Sequence, residues 1–210
     1  MVGRRIVWDV DTQVDFIEPG GKLYFEGAEE TKPAMARIVG AARAAGLVHV
    51  ASVDDHEFSD PEISADPDLE STWPPHCLRG TRGAEKIPET QQLDPLPLPL
   101  VPMPAAILRG LLEGGREVLV PKKSYDPFTN PNTETMLDAL DPDQILLFGV
   151  ATDICDDVAV RALLRRGRRI TFVEDAARGV DESQVAACLA AWRESGVGFT
   201  TSEEVVAQVG

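Results

Sequence analysis

In this 210-residue sequence, the residues best suited to chemistry are a few thiols, imidazoles and acids that follow short apolar runs. Cys155 stands between the apolar run 144–150 and a stretch with helical spacing over 156–166. A thiol just ahead of a helix meets the free amides and positive dipole end of that helix, which favour the thiolate and make Cys155 a candidate nucleophile. Activation also needs a proton acceptor and a cation. Asp11 and Lys122, each at the end of a comparable apolar run, offer a carboxylate and an ammonium. A second set comprises Asp54, His56 and, in Trp73-Pro74-Pro75-His76-Cys77, His76. One carboxylate and two imidazoles suit zinc or a similar borderline metal, with positions left for water or substrate. His49 lies within an apolar run and Cys188 within an alanine-rich stretch, so both are expected in the core, and Cys77 is expected to be structural.

These residues need elements to hold them. Short apolar runs rich in branched residues predict strands at 4–10, 47–53, 117–121, 144–150, 169–173 and 197–200. Helical spacing predicts helices at 32–45, 133–140, 156–166 and 182–194, with shorter ones from 105 and from 202. This alternation predicts a three-layer α/β/α fold with a mostly parallel central sheet, as a single domain over 1–210. Sites in such folds lie beyond the carboxyl ends of the strands. The segments 11–16, 54–56, 122–125 and 151–155 would then share one rim.

Residues 54–104 form a long polar excursion, of a length more often functional than idle. Inside it, the prolines of 93–104 exclude a helix interior or a central strand, which predicts a surface connector. The basic cluster Arg165, Arg166, Arg168 and Arg169 is explained by interaction with a helix carboxyl end.

Twenty Lys and Arg against 35 Asp and Glu give a formal net charge of −15. Such a surface repels phosphate backbones and anionic headgroups, so neither nucleic acid nor a membrane is an expected partner. A small molecule is. An odd cysteine count, no basic-then-apolar leader and no apolar run of roughly 18 residues predict a cytoplasmic chain with reduced thiols.

The segments Val10-Asp11-Thr12-Gln13-Val14-Asp15-Phe16, Gly20-Gly21, Gly27-Ala28-Glu29 and Gly149-Val150-Ala151-Thr152-Asp153-Ile154-Cys155 resemble the isochorismatase-like cysteine hydrolase superfamily over nearly the whole chain. Asp54-x-His56, and residues 73–77 followed by Gly80-Thr81-Arg82-Gly83-Ala84, resemble its metal-dependent nicotinamidase (pyrazinamidase) branch. The resemblance implies an Asp11, Lys122, Cys155 triad, with Lys122 chosen over Lys123 by the Lys-x-x-Tyr spacing to Tyr125. It implies metal ligands at Asp54, His56 and His76. A fourth, usually histidine, falls near Glu62, with Asp60 competing. Zinc is expected, and the hard ligand leaves manganese or iron open.

Phe16 and Trp73 would flank a substrate ring, with Tyr125 beside them. The backbone amides of Ala151 and Cys155, helped by a cis peptide before Ala151, would hold an oxyanion. The implied reaction converts nicotinamide to nicotinate and ammonia through a cysteine thioester. The alternatives are another small-amide hydrolase, such as one acting on N-carbamoyl amines, or a catalytically silent fold in which the metal is a clip. A homo-oligomer is the implied assembly.

Overall fold

The computed structural model describes residues 4–209. Its strands are β1 Arg5–Val10, β2 Val48–Asp54, β3 Leu96–Pro97, β4 Val118–Lys122, β5 Gln144–Val150, β6 Ile170–Arg178 and β7 Gly198–Thr200. Its helices are α1 Val14–Ile17, α2 Lys32–Ala44, α3 Ala105–Leu112, α4 Thr133–Leu140, α5 Cys155–Arg165, α6 Glu182–Glu194 and α7 Ser202–Val209. The strands form one sheet in the order β3-β4-β2-β1-β5-β6-β7, with every pairing parallel.

The two-residue period of β1 assigns its neighbours. Ile6, Trp8 and Val10 face a core shared with Leu108 of α3, Met136 of α4 and Val160 of α5. Val7 faces the opposite core, with Ile38 of α2 and Val205 of α7. Helices on both faces bury both faces of each central strand, which is why these strands read as continuous apolar runs rather than alternating ones. The expected three-layer architecture is the one observed. Among the described residues, no helix is long and apolar enough to cross a membrane.

Strand order reverses between β1 and β5: the chain first places β2, β3 and β4 on one side of β1, with β4 between β2 and the edge strand β3, then returns to add β5, β6 and β7 on the other. The crevice past the carboxyl ends of β1 and β5 is where α/β folds of this type bind ligands. Asp11 follows β1 and Cys155 follows β5.

Some expectations need correction. The proline-rich segment is not a plain surface connector, because Leu96 and Leu98 are buried in the core while Pro97 between them is exposed. The N–H groups of Leu96 and Leu98 donate to the carbonyls of Glu117 and Leu119 at 2.7 and 2.8 Å. Proline survives there because β3 is an edge strand, whose outer side needs no ladder bond. Strand β6 continues beyond residue 173 to Arg178, and its far end pairs Ala177 with Gly149 after a register shift. Exposed Glu174 and Asp175 interrupt the apolar run, so the sequence pattern stops early. The basic cluster does more than face a helix end: Arg166 pairs with Glu134 and lies 3.5 Å above the Phe128 ring, and Arg168 Nη2 is 2.6 Å from Asp138. It fastens α5 and the turn after it to α4.

Candidate active site and metal centre

Asp11 has φ 51°, and its N–H donates to the Ser52 carbonyl at 3.1 Å. Lys122 ends β4, directly beside Asp54 at the end of β2. Its Nζ lies 2.8 Å from Asp11 Oδ2, is bonded to Asp54 Oδ1, and stands 3.9 Å from Cys155 Sγ. Lys122 and Asp11 are fully buried, and Cys155 is 6% exposed. One ammonium therefore sits between two carboxylates and a thiol, away from water. The structure brings all three expected triad residues together.

Burial pushes the Asp11 carboxyl up, Lys122 opposes this, Asp54 adds to it, and the result is about 6. Burial works against the Asp54 carboxylate too, yet Lys122 and the two histidines hold it below the usual carboxylate range. Burial disfavours the Lys122 ammonium, but the attraction of Asp11 and Asp54 keeps it well above its ordinary value. For Cys155, burial raises the thiol, Lys122 opposes, and the Asp11 and Asp54 charges raise it further. This corrects the helix-end expectation. The thiol sits on the first residue of α5, but its burial beside two acids keeps the resting group protonated.

The excursion after β2 folds back twice to build the second cluster. A parallel bridge joins His56 to Leu78, with the His56 N–H donating to the Cys77 carbonyl at 3.1 Å, and this sets His56 beside His76. A second bridge joins Ile63 to Trp73, with the Trp73 N–H donating to the Glu62 carbonyl at 2.7 Å. Asp15 fastens the whole: its Oδ2 accepts the Cys77 N–H at 2.7 Å and its Oδ1 the Lys22 N–H at 3.0 Å.

Each imidazole is anchored through Nδ1, His76 to the Pro74 carbonyl at 2.9 Å and His56 to Asp60 Oδ2 at 3.2 Å. Both Nε2 atoms then face Asp54 Oδ2, at 3.9 Å from His56 and 3.7 Å from His76. Glu62 Oε1 lies 4.0 Å from His56 Nε2, a buried atom without a hydrogen-bond partner. Ligand atoms around an ion at ~2.1 Å stand roughly 3.4 Å apart; those offered by Asp54, His56 and His76 lie within 4.8 Å of one another, so the set would draw inward on binding an ion. An orphaned imidazole nitrogen within a ring of nitrogen and oxygen donors fits a divalent cation. Glu62, rather than Asp60, faces the set. Asp60 lies behind His56, bonded also to Lys123 Nζ at 2.9 Å, where a carboxylate orients an imidazole.

Cys155 of the first cluster and Asp54, Glu62 and His76 of the second line one cavity of about 280 Å³, together with Ala151. Phe16, Trp73 and Tyr125 line it as well. The Phe16 ring centroid is 5.7 Å from that of His76, and Trp73 Nε1 donates to the Tyr125 hydroxyl. The Val150–Ala151 peptide is cis. Leu23, Tyr24, Phe25 and Val180 also line the cavity and were not among the expected residues. An apolar triplet inside a polar, glycine-containing loop was the available signal for the first three. Val180 gave none: it is placed by Asp153, whose carboxylate accepts the Val180 and Asp181 N–H groups at 2.9 Å each.

The Isochorismatase domain family matches residues 6–204, and the chain belongs to that family. Among curated relatives, the nicotinamidase/pyrazinamidase of Mycobacterium tuberculosis (strain ATCC 25618 / H37Rv) is 30% identical over 200 residues, covering 92% of this chain and 96% of the relative. Among solved structures, the pyrazinamidase of Pyrococcus horikoshii in complex with zinc superposes with a TM-score of 0.74 at 20% identity, over 94% of this chain and 99% of that one. The N-carbamoylsarcosine amidase of Thermoplasma acidophilum does so with a TM-score of 0.71 at 25% identity, over 95% and 96%.

Proposed function

We propose that this enzyme is a metal-dependent nicotinamidase, hydrolysing the carboxamide C–N bond of nicotinamide by way of a thioester on Cys155. The observation that carries the reading is a single cavity lined by Cys155, which the buried Asp11 and Lys122 back, and by Asp54, Glu62 and His76 of the donor set that His56 completes. The relationship to nicotinamidases along nearly the full chain supports it.

Asp11 takes the proton from Cys155 Sγ as the sulfur attacks the amide carbon. A base near 6 is ionised at neutral pH yet gives its proton back readily, which suits a group that must do both. Lys122 balances the charge as the proton moves between carboxylate and sulfur. The backbone N–H groups of Ala151 and Cys155 receive the developing oxyanion; that of Cys155, at the first position of α5, has no intrahelical acceptor. The proton on Asp11 passes to the departing nitrogen, the C–N bond breaks and ammonia leaves. A water then loses a proton to Asp11 and attacks the thioester carbon. The C–S bond breaks, the sulfur recovers the proton, and the carboxylic acid is released.

Asp54, His56, Glu62 and His76 would hold a divalent cation, with zinc favoured by the two imidazoles and manganese or iron admitted by the two carboxylates. When bound, it supplies a coordination position for a lone pair on the substrate, such as a pyridine nitrogen. Phe16, Trp73 and Tyr125 orient the ring so that the amide meets Cys155, which turns binding into reaction geometry.

The test is ammonia release from nicotinamide, pyrazinamide and an N-carbamoyl amine side by side. Nicotinamide and pyrazinamide should be cleaved and the carbamoyl compound spared. Selective cleavage of the carbamoyl compound, an outcome consistent with the Thermoplasma neighbour, would overturn the substrate assignment.

A further inference from the structure

A second buried ionic cluster, separate from the first, lies beneath the turn that carries Asp11, on the α2 side of the sheet. Lys86 Nζ is 2.5 Å from Asp9 Oδ1 and 2.8 Å from Thr12 Oγ1. The Thr12 hydroxyl is also 3.0 Å from Asp9 Oδ1 and 2.6 Å from Thr90 Oγ1. Asp9 Oδ2 is bonded to His49 Nε2 at 2.5 Å, and His49 Nδ1 lies 3.7 Å from Glu117 Oε1. His49, expected as plain core, is a link in this chain. Lys86 is 9% exposed; Asp9 and Thr12 are fully buried.

An ion pair in such a place adds little stability over apolar residues of the same size, so its use has to be sought in geometry. The geometry it fixes is that of residues 11–13. Lys86 forms an antiparallel bridge with Gln13, and the Ile87 N–H donates to the Thr12 carbonyl at 3.0 Å. The Gln13 side chain in turn accepts the Asp54 N–H at 2.7 Å and donates to the Asp54 carbonyl at 2.8 Å. Asp11 itself holds a left-handed backbone conformation that non-glycine residues adopt only with support. Thr12, the next residue, is gripped through its hydroxyl by Asp9, Lys86 and Thr90.

We propose that Lys86, acting through Asp9 and Thr12, is a positioning residue for Asp11: it locks the turn that aims the Asp11 carboxylate at Lys122 and Cys155. The inference rests on the proposed role of Asp11 as the proton carrier. Burial disfavours both charges of the pair, but Lys86 and His49 hold Asp9 below the usual carboxylate range, so the acid side of the lock stays ionised. A displacement of ~1 Å in a reacting group can cost up to 100-fold in rate, and releasing this turn would allow one of that size.

Two variants test it: Lys86→Met removes the ammonium, and Thr12→Val removes only the hydroxyl while leaving the Asp9–Lys86 pair and the side-chain volume in place. Steady-state kinetics on nicotinamide should show kcat lowered by about tenfold or more in each, with KM and bound metal unchanged. Alkylation of Cys155 by iodoacetamide, followed by peptide mass spectrometry, should slow in parallel. The double variant should be no slower than Lys86→Met alone, because both cut one path. A folded Thr12→Val protein with parental kcat and parental alkylation rate would overturn the proposal, as would a change confined to KM. Should Lys86→Met fail to fold, Thr12→Val decides alone. If the parent does not cleave nicotinamide, the substrate assignment fails, while the alkylation comparison still decides whether Lys86 positions Asp11.

Discussion

Asp156 is the residue for which the site has no use. It follows Cys155 in α5, is fully buried, and neither carboxylate oxygen has a hydrogen-bond partner. Burial, reinforced by the nearby Asp11, Asp153 and Asp157 charges, holds its carboxyl well above the ordinary value of 3.8. The folded state then binds a proton that the unfolded state releases. The contribution of this group to stability is fully present below the unfolded value and is lost as pH rises toward the folded one. Asp156→Asn, neutral at every pH, removes that dependence. Urea unfolding of parent and variant at pH 5 and pH 8 should show the variant gaining on the parent as pH rises. An equal difference at both pH values would contradict the assignment. Glu62 offers a second prediction at this scale: Glu62→Ala should weaken zinc binding roughly 10-fold or more by calorimetry. Parental affinity would remove Glu62 from the donor set.

At the scale of elements, the sequence yielded what depends on a continuous pattern and lost what depends on long-range contact. Residues 133–140, 144–150 and 182–194 form the expected elements to the residue, because their apolar spacing is regular and their ends are marked. Asp11, Lys122 and Cys155 could be picked out because each ends or follows such a run. The edge strand β3 was hidden by its prolines, and the buried role of His49 by partners at Asp9 and Glu117 that no local pattern connects. Facing of Glu62 and turning away of Asp60 depend on how the 55–80 excursion folds back, which periodicity does not encode.

The close pairing of β1 with β5 can be tested directly. Gly149 has φ +145°, and a Cβ there would stand 2.2 Å from the Val10 carbonyl oxygen. Gly149→Ala should therefore push apart the strands that launch Asp11 and Cys155, lowering stability by about 2 kcal/mol or more. Thermal unfolding checks this, and a parental melting temperature would contradict it.

For the whole molecule, the reversal of strand order between β1 and β5 gathers onto one rim residues that are far apart in sequence: Asp11, Asp54, His76, Lys122 and Cys155. Several acids of the −15 chain are thereby withdrawn from the surface and face Lys122 or one another across the site. The reaction proposed for this rim is cleavage of an amide through sulfur. The most direct measurement mixes metal-loaded enzyme with excess nicotinamide, quenches in acid within the first turnovers, and reads the Cys155 peptide by mass spectrometry while assaying ammonia. A nicotinoyl group on Cys155 and ammonia release are expected, both abolished in a folded, metal-bearing Cys155→Ala protein. Undiminished ammonia release by Cys155→Ala would contradict it.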